Sequence, residues 1–338
     1  MPRKNAETIF LTEELPYHWR TQFLRWLTSH LSSGTRKVYV SGWRNFLAFI
    51  QKDVADIRKG DVDHYRAYLK NDAVSTRTKK ALSGTTINLY LAALSSFYKY
   101  ALEQEWLLLN PVDGVVRMPV SPYEKARWLQ GDDDVRLLSQ PDRETIQGKR
   151  DYALLLLFLT TAMRLNEVVQ LRIGSLRQVG ERTALSYRKK GGEDVQKILA
   201  PIAVKAIETY LTTRDNLTPE APLFVASTRG LQSARNLQKH TDTDMNPEVF
   251  EQRAPLSGRS IEKLIATCAK RAFGDNHGIT VHSLRHTAAM NALESGRTIT
   301  EISDLLKHRN TRVTAIYLHR MEGAGDKVSE MLASRYEE

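Results

Sequence analysis

Hydrophobic positions recur at three- and four-residue steps through most of this chain, the period of helices that bury one face. Trp19, Phe23, Leu24 and Leu27 mark one stripe, and Val38, Trp43, Phe46, Leu47 and Ile50 mark a second after the Gly34-Thr35 break. Asp61-Val-Asp opens a third helix. Gly84-Thr-Thr opens a fourth, which runs through Leu91, Leu94, Phe97, Tyr98 and Ala101. Four or five helices with short connections predict a small bundle over residues 16–110, behind a flexible lead-in at 1–15. Asn110-Pro111 closes the bundle, and Pro111, Pro119 and Pro122 predict an extended linker over 111–128.

A second pattern fills 129–338. Asp132-Asp-Asp-Val reads as the start of a helix, where carboxylates cap amides and complement the dipole, rather than as a metal site. Residues 152–162 are apolar nearly all round and predict a buried helix. Residues 183–188, the turn Lys189-Lys-Gly-Gly-Glu-Asp and residues 195–199 read as strand, turn, strand. The stretch 229–257 is polar and aperiodic, which predicts an insertion or mobile loop. Helical patterning resumes at residue 260 and continues to the end. The fold class expected is therefore mainly α with a small antiparallel β-sheet.

Charge narrows the functional classes. The 338 residues carry a formal net charge of +10, and the excess is denser before residue 120, which favours a polyanionic partner such as nucleic acid. A lone cysteine, Cys268, allows neither an internal disulfide nor a cysteine-based zinc site. The longest apolar run, 153–159, is far short of the ~20 residues that span a bilayer, and no secretory signal is visible. A cytoplasmic, nucleoid-associated protein without membrane contact is expected. No G-x-x-x-x-G-K-[ST] loop and no G-x-S-x-G elbow are present, so ATP-driven and serine-hydrolase chemistry lack support.

The chemistry-bearing residues concentrate between 280 and 320. His282 and Arg285 stand three apart at the start of a predicted helix, on one face and near free amides that suit a phosphate. Thr298-Ile-Thr-Glu301 has the form of a capping box, with Ile302, Leu305 and Leu306 as the core stripe of a helix ending at Lys307-His308. Asn310 then caps a further helix bearing Val313, Ile316 and Tyr317. Taken singly, a histidine near a helix end is structural and Tyr317 belongs to a core stripe. His282 and His286 have the spacing of a helical metal pair, but an arginine lies between them and no H-E-x-x-H glutamate is present, so no metal is expected.

Together these residues have another meaning. The order His282-x-x-Arg285-His286, Leu305-Leu306-Lys307-His308 and Tyr317 nine residues on resembles the tyrosine recombinase (phage integrase) family. Thr161-Ala-Met-Arg164-Leu-Asn-Glu167 is similar to that family's first arginine motif, and the Lys189-Lys190-Gly191 turn to its hairpin lysine. Residues 16–110 look like its helical, SAM-like core-binding domain. Two positions depart from the pattern: Ala162 and Lys307 stand where the family usually has glycine.

The resemblance implies a DNA strand-exchange enzyme that clamps duplex DNA between its two domains. It implies Tyr317 as nucleophile forming a 3′-phosphotyrosyl bond, and Arg164 and Arg285 as two-pronged holders of phosphoryl oxygens. His282 and His308 would assist with hydrogen bonds and proton transfer. Lys190, with Lys189 as the alternative, would protonate the departing sugar oxygen. Glu167 and His286 would support the cluster. No cofactor is implied, and the assembly would be a tetramer on two DNA sites joined through a Holliday junction. Within the tail 320–338, Val328, Met331 and Leu332 could dock on a neighbour or pack on their own domain. Arg36, Lys37, Arg77, Lys79 and Lys80 are DNA-binding candidates, a solvated charged face being the plainer reading. The rivals are a type IB topoisomerase-like enzyme, which needs no partner duplex, and a catalytically idle DNA-binding protein, which leaves the Arg/Lys/His/Tyr set unexplained.

Overall fold

A computed structural model describes residues 10–29, 31–75, 78–120, 127–188, 192–215, 217–226, 255–275 and 277–307. The chain divides into two compact units, 1–121 and 122–338. Among the described residues, no helix is long and apolar enough to cross a membrane.

The first unit is built on four α-helices: α1 (Arg20–Ser29), α2 (Ser33–Phe49), α3 (Lys59–Asn71) and α4 (Gly84–Glu103). Its core is aromatic. Phe23 stacks on Phe97 with ring centroids 4.0 Å apart and meets Trp43 edge-on at 4.7 Å. Each buried ring of this kind contributes about 1.5–3 kcal/mol of hydrophobic stabilisation. Their polar atoms are satisfied: the Trp43 indole donates to the Ala93 carbonyl (3.2 Å), and the Tyr98 hydroxyl to the Val54 carbonyl (2.9 Å). Gly42 lets α2 approach α4, since a Cβ there would meet the Ala93 Cβ at 3.2 Å.

Local capping shifts two of the expected helix starts. Gly34-Thr35 is no break: the Ser32 hydroxyl accepts from the Thr35 amide, so α2 begins at Ser33 and carries Gly34 in its first turn. Arg36 and Lys37 therefore lie in the first turns of α2. The third helix starts at Lys59, two residues before the expected Asp61, because the Asp61 carboxylate accepts from the Arg58 amide at 3.0 Å. Lys79 and Lys80 are exposed on a loop pinned by the Ser75 amide donating to the Lys80 carbonyl (2.8 Å); Arg77 lies outside the described residues.

The second unit holds α5 (Asp133–Leu138), α6 (Ile146–Thr161), α7 (Leu165–Val169), three strands, α8 (Pro201–Leu211), α9 (Gly258–Phe273), α10 (Val281–Glu294) and α11 (Ile299–Leu306). The strands β1 (Leu176–Val179), β2 (Arg182–Arg188) and β3 (Asp194–Ile198) form an antiparallel sheet in the order β1-β2-β3. The β2–β3 hairpin is the predicted one. β1 adds a strand that alternation did not reveal, because it is a short edge with three of its four residues exposed.

Buried α6 starts six residues before the predicted 152, with the Thr145 hydroxyl accepting from the Gly148 amide at 2.9 Å. The acidic run at 132–134 opens α5, but Asp132 makes no side-chain cap. Asp134 instead accepts from the Val135 amide (2.7 Å) and the Asn291 side chain (2.9 Å). Residues 227–254, most of the expected insertion, lie outside the described residues, as do the Asn310 helix and the tail 320–338.

Candidate active site

Two helix ends and one helix face build the site. Apolar α6 runs to Thr161 and terminates at Ala162 in the left-handed conformation (φ +53°). That turn delivers Arg164 to the threshold of α7. Glu167 secures it: its carboxylate accepts from the Arg164 amide (2.9 Å) and from the Arg164 guanidinium (3.1 Å). Glu167 is buried, whereas 42% of the Arg164 side chain remains exposed, leaving donors of that guanidinium open to a ligand. Tyr187, reaching in from β2, hydrogen-bonds Glu167, and burial followed by that carboxylate's charge pushes its phenol pKa up.

The second arginine sits on α10. Thr280 caps this helix by accepting from the Ser283 amide, which places His282, Arg285 and His286 in its first two turns. Arg285 is 4% exposed. Its guanidinium donates to the Ala162 carbonyl at the end of α6 and to the Leu306 carbonyl at the end of α11. His282 reaches the surface, and its ring meets His286 edge-to-face at 4.7 Å between centroids. Partial burial of the ring, then the charges of Arg285 and Arg164, lower its pKa below the ordinary imidazole value. At pH 7 the ring is neutral, able to donate from one nitrogen and accept at the other. The capping box of α11 is present, with Glu301 accepting from the Thr298 amide at 2.8 Å. That helix ends at Lys307, also left-handed (φ +50°).

A further cation belongs to this cluster. Lys197 on β3 is 8% exposed, and its ammonium donates to the Thr161 carbonyl at 2.6 Å and to the Leu305 carbonyl. Burial first, then the charge of Arg285, with Glu167 opposing and Lys307 and Arg164 adding, brings its pKa down to about 7. The alternation of β3 carries the signal for it: Val195 and Lys197 share the inward face, so the period of two places a lysine where an apolar residue is expected.

The fold thus brings Arg164, Glu167, His282 and Arg285 together from among the expected site residues, with His286 beside His282. Lys189, Lys190, His308 and Tyr317 lie outside the described residues. Among the described residues, positive side chains outnumber the one buried carboxylate here, and this imbalance favours an anionic ligand with several oxygens.

Comparison with known proteins agrees with this chemistry. Residues 127–323 match the model of the phage integrase family, and residues 19–107 match the phage integrase N-terminal SAM-like domain. The chain is 29% identical over 293 residues to the tyrosine recombinase XerC of Pelobacter propionicus, covering 86% of each chain. It is 26% identical over 313 residues to the tyrosine recombinase XerD of Agrobacterium fabrum, covering 86% of this chain and 88% of that one. The structure of the XerH site-specific recombinase bound to palindromic difH substrate superposes with a TM-score of 0.65 at 15% identity, over 98% of this chain and 94% of that chain. The Tn1549 transposon integrase in complex with transposon right end DNA gives 0.64 at 13%, over 98% and 99%. These two share the fold.

Proposed function

This chain belongs to the phage integrase family and is a site-specific tyrosine recombinase, a DNA strand-transferring enzyme, and from that premise we propose how its residues divide the reaction. The Tyr317 phenol oxygen attacks the scissile phosphorus, a 3′-phosphotyrosyl ester forms, and the bond to the 5′ oxygen breaks. One phosphate ester replaces another, so the bond energy is conserved and neither ATP nor a metal is needed. The freed 5′ hydroxyl of one duplex then attacks the phosphotyrosyl ester of a second, regenerating the phenol and joining the strands through a Holliday junction. A tetramer on two sites would carry out the exchange.

Attack adds negative charge to an already anionic phosphodiester, and fixed donors aimed at that charge supply most of the acceleration. Arg164 and Arg285 take the non-bridging oxygens. His282, neutral at pH 7, adds a hydrogen bond and relays a proton, with His308 as its partner. Lys190, or Lys189 beside it, protonates the departing 5′ oxygen. Glu167 orients Arg164, and His286 supports His282. A phenol near pKa ~10 is a weak nucleophile at pH 7, and the surrounding cations promote its ionisation. Arg36, Lys37, Arg77, Lys79 and Lys80 serve the phosphate backbone of bound duplex DNA.

The observation that supports this reading best is the convergence of Arg164 and Arg285 with His282, from two motifs more than a hundred residues apart, around the buried Glu167 carboxylate. The test mixes wild type and Tyr317→Phe with fragmented DNA of the source organism and captures SDS-resistant protein–DNA adducts for sequencing. Adducts are expected in wild type alone, their ends naming the site, while both proteins retain DNA binding. Adducts that persist in Tyr317→Phe would remove Tyr317 as nucleophile.

A further inference from the structure

Helix C-termini leave carbonyls without intrahelical partners, and these carry the negative end of the helix dipole. Two such ends, those of α6 and α11, meet in this site. Arg285 takes the Ala162 and Leu306 carbonyls. Lys197 takes the carbonyl immediately before each of these, Thr161 and Leu305. The two cations form parallel cross-ties between the same pair of chain segments, one from a helix and one from a strand. One tied segment leads directly into the active-site turn: Arg164 comes two residues after Ala162.

We propose that Lys197 is a positioning residue for strand transfer, its ammonium tying the turn that delivers Arg164 to the C-terminus of α11 and so holding Arg164 in place beside Arg285. Its role is distinct from that given to the hairpin lysine: Lys197 is committed to two backbone carbonyls and does not protonate the leaving oxygen. The charged groups around it are Arg164 and Glu167 from α6–α7, Arg285 from α10 and Lys307 from the end of α11. A neutral amine keeps two N–H donors, so the tie survives loss of the proton while the charge beside the phosphate does not. The assignment rests on the recombinase reading for its consequence in catalysis, but not for the tie itself.

The test therefore has two arms, both on the full chain. In the first, without DNA, hydrogen exchange is compared for wild type, Lys197→Met and Lys197→Arg. Lys197→Met is expected to speed exchange at the amides of 162–168 and 305–307 by about 10-fold, with α8 and α9 unchanged, and Lys197→Arg to reverse part of that gain. No change at the two turns, or an equal rise across α8 and α9, overturns the proposal.

In the second arm, Lys197→Met should bind random duplex DNA within about 2-fold of wild type yet form covalent adducts about 100-fold more slowly, the scale expected for misplaced catalytic groups. Adducts at the wild-type rate overturn the proposal. So does rescue of Lys197→Met by a duplex of the captured site bearing a 5′-bridging sulfur, because a thiolate leaves unprotonated and rescue marks a proton donor. If wild type itself forms no adducts, the recombinase reading and the catalytic role fail together, and the exchange arm still decides the tie.

Discussion

Ala162 and Lys307 hold the left-handed conformation that glycine adopts without steric cost, at φ +53° and +50°. They are also the two positions where this chain departs from the glycines of the motifs it otherwise follows. A side chain there costs about 1 kcal/mol. Lys307 is only partly buried, so Lys307→Gly is expected to raise unfolding stability by about 1 kcal/mol in urea titrations. Ala162 differs because its methyl lies fully buried in a cluster with Ala289, Met290 and Leu306. Removing it forfeits about 0.8 kcal/mol of burial, so Ala162→Gly should be nearly neutral. His282 sets a pH dependence of known sign. Its folded pKa lies below the ordinary value, so the unfolded chain binds the proton more tightly. Its contribution to stability is present above about pH 6.5 and declines as the pH falls below that. Adduct formation should share the acid limb below about pH 6.5, falling as His282 protonates, and a rate that keeps rising on acidification through that range would refute the neutral ring.

Among the elements, α6 makes the firmest demand on a single residue. A Cβ at Gly148 would stand 1.7 Å from the Asp142 carbonyl oxygen, and backbone cannot yield as a flexible side chain does. Gly148→Ala is expected to cost about 3 kcal/mol or more in thermal or urea unfolding. The helical stripes were legible because a period near 3.6 over ten or more residues is hard to imitate, and the hairpin because Val195 and Lys197 alternate with exposed neighbours. Starts were less legible, since Ser32, Thr145 and Asp61 each act through one hydrogen bond that no periodicity records. β1 was hidden by its exposure. The alternation of β3 marked Lys197 as inward, but its role was hidden: its partners are backbone carbonyls, which have no sequence signature, and they belong to helices distant in the chain. The motif order around Arg164, His282 and Arg285 was readable because the order and spacing of chemistry-bearing side chains can be read directly from the chain.

For the molecule as a whole, the net charge of +10 makes its attachment to DNA an electrostatic event. Each phosphate contact releases counterions, so raising salt from 50 to 200 mM should weaken duplex binding about a thousand-fold if six or more contacts form. Equilibrium titrations across that range check it, and a flat response would refute backbone-led binding. The aromatic packing has one more consequence, an optical one. Of the five tryptophans, Trp19, Trp26, Trp43 and Trp106 belong to the first unit and Trp128 to the second. Trp26 and Trp43 are almost wholly buried, so their emission follows the integrity of that aromatic core. Trp128 packs against the cluster containing Ala162 and Leu306, whose carbonyls Arg285 holds. Subtracting the spectrum of Trp128→Phe from that of wild type isolates a single fluorophore at the base of the two turns that Arg285 ties together, so the chain carries its own light-emitting probe of that cluster.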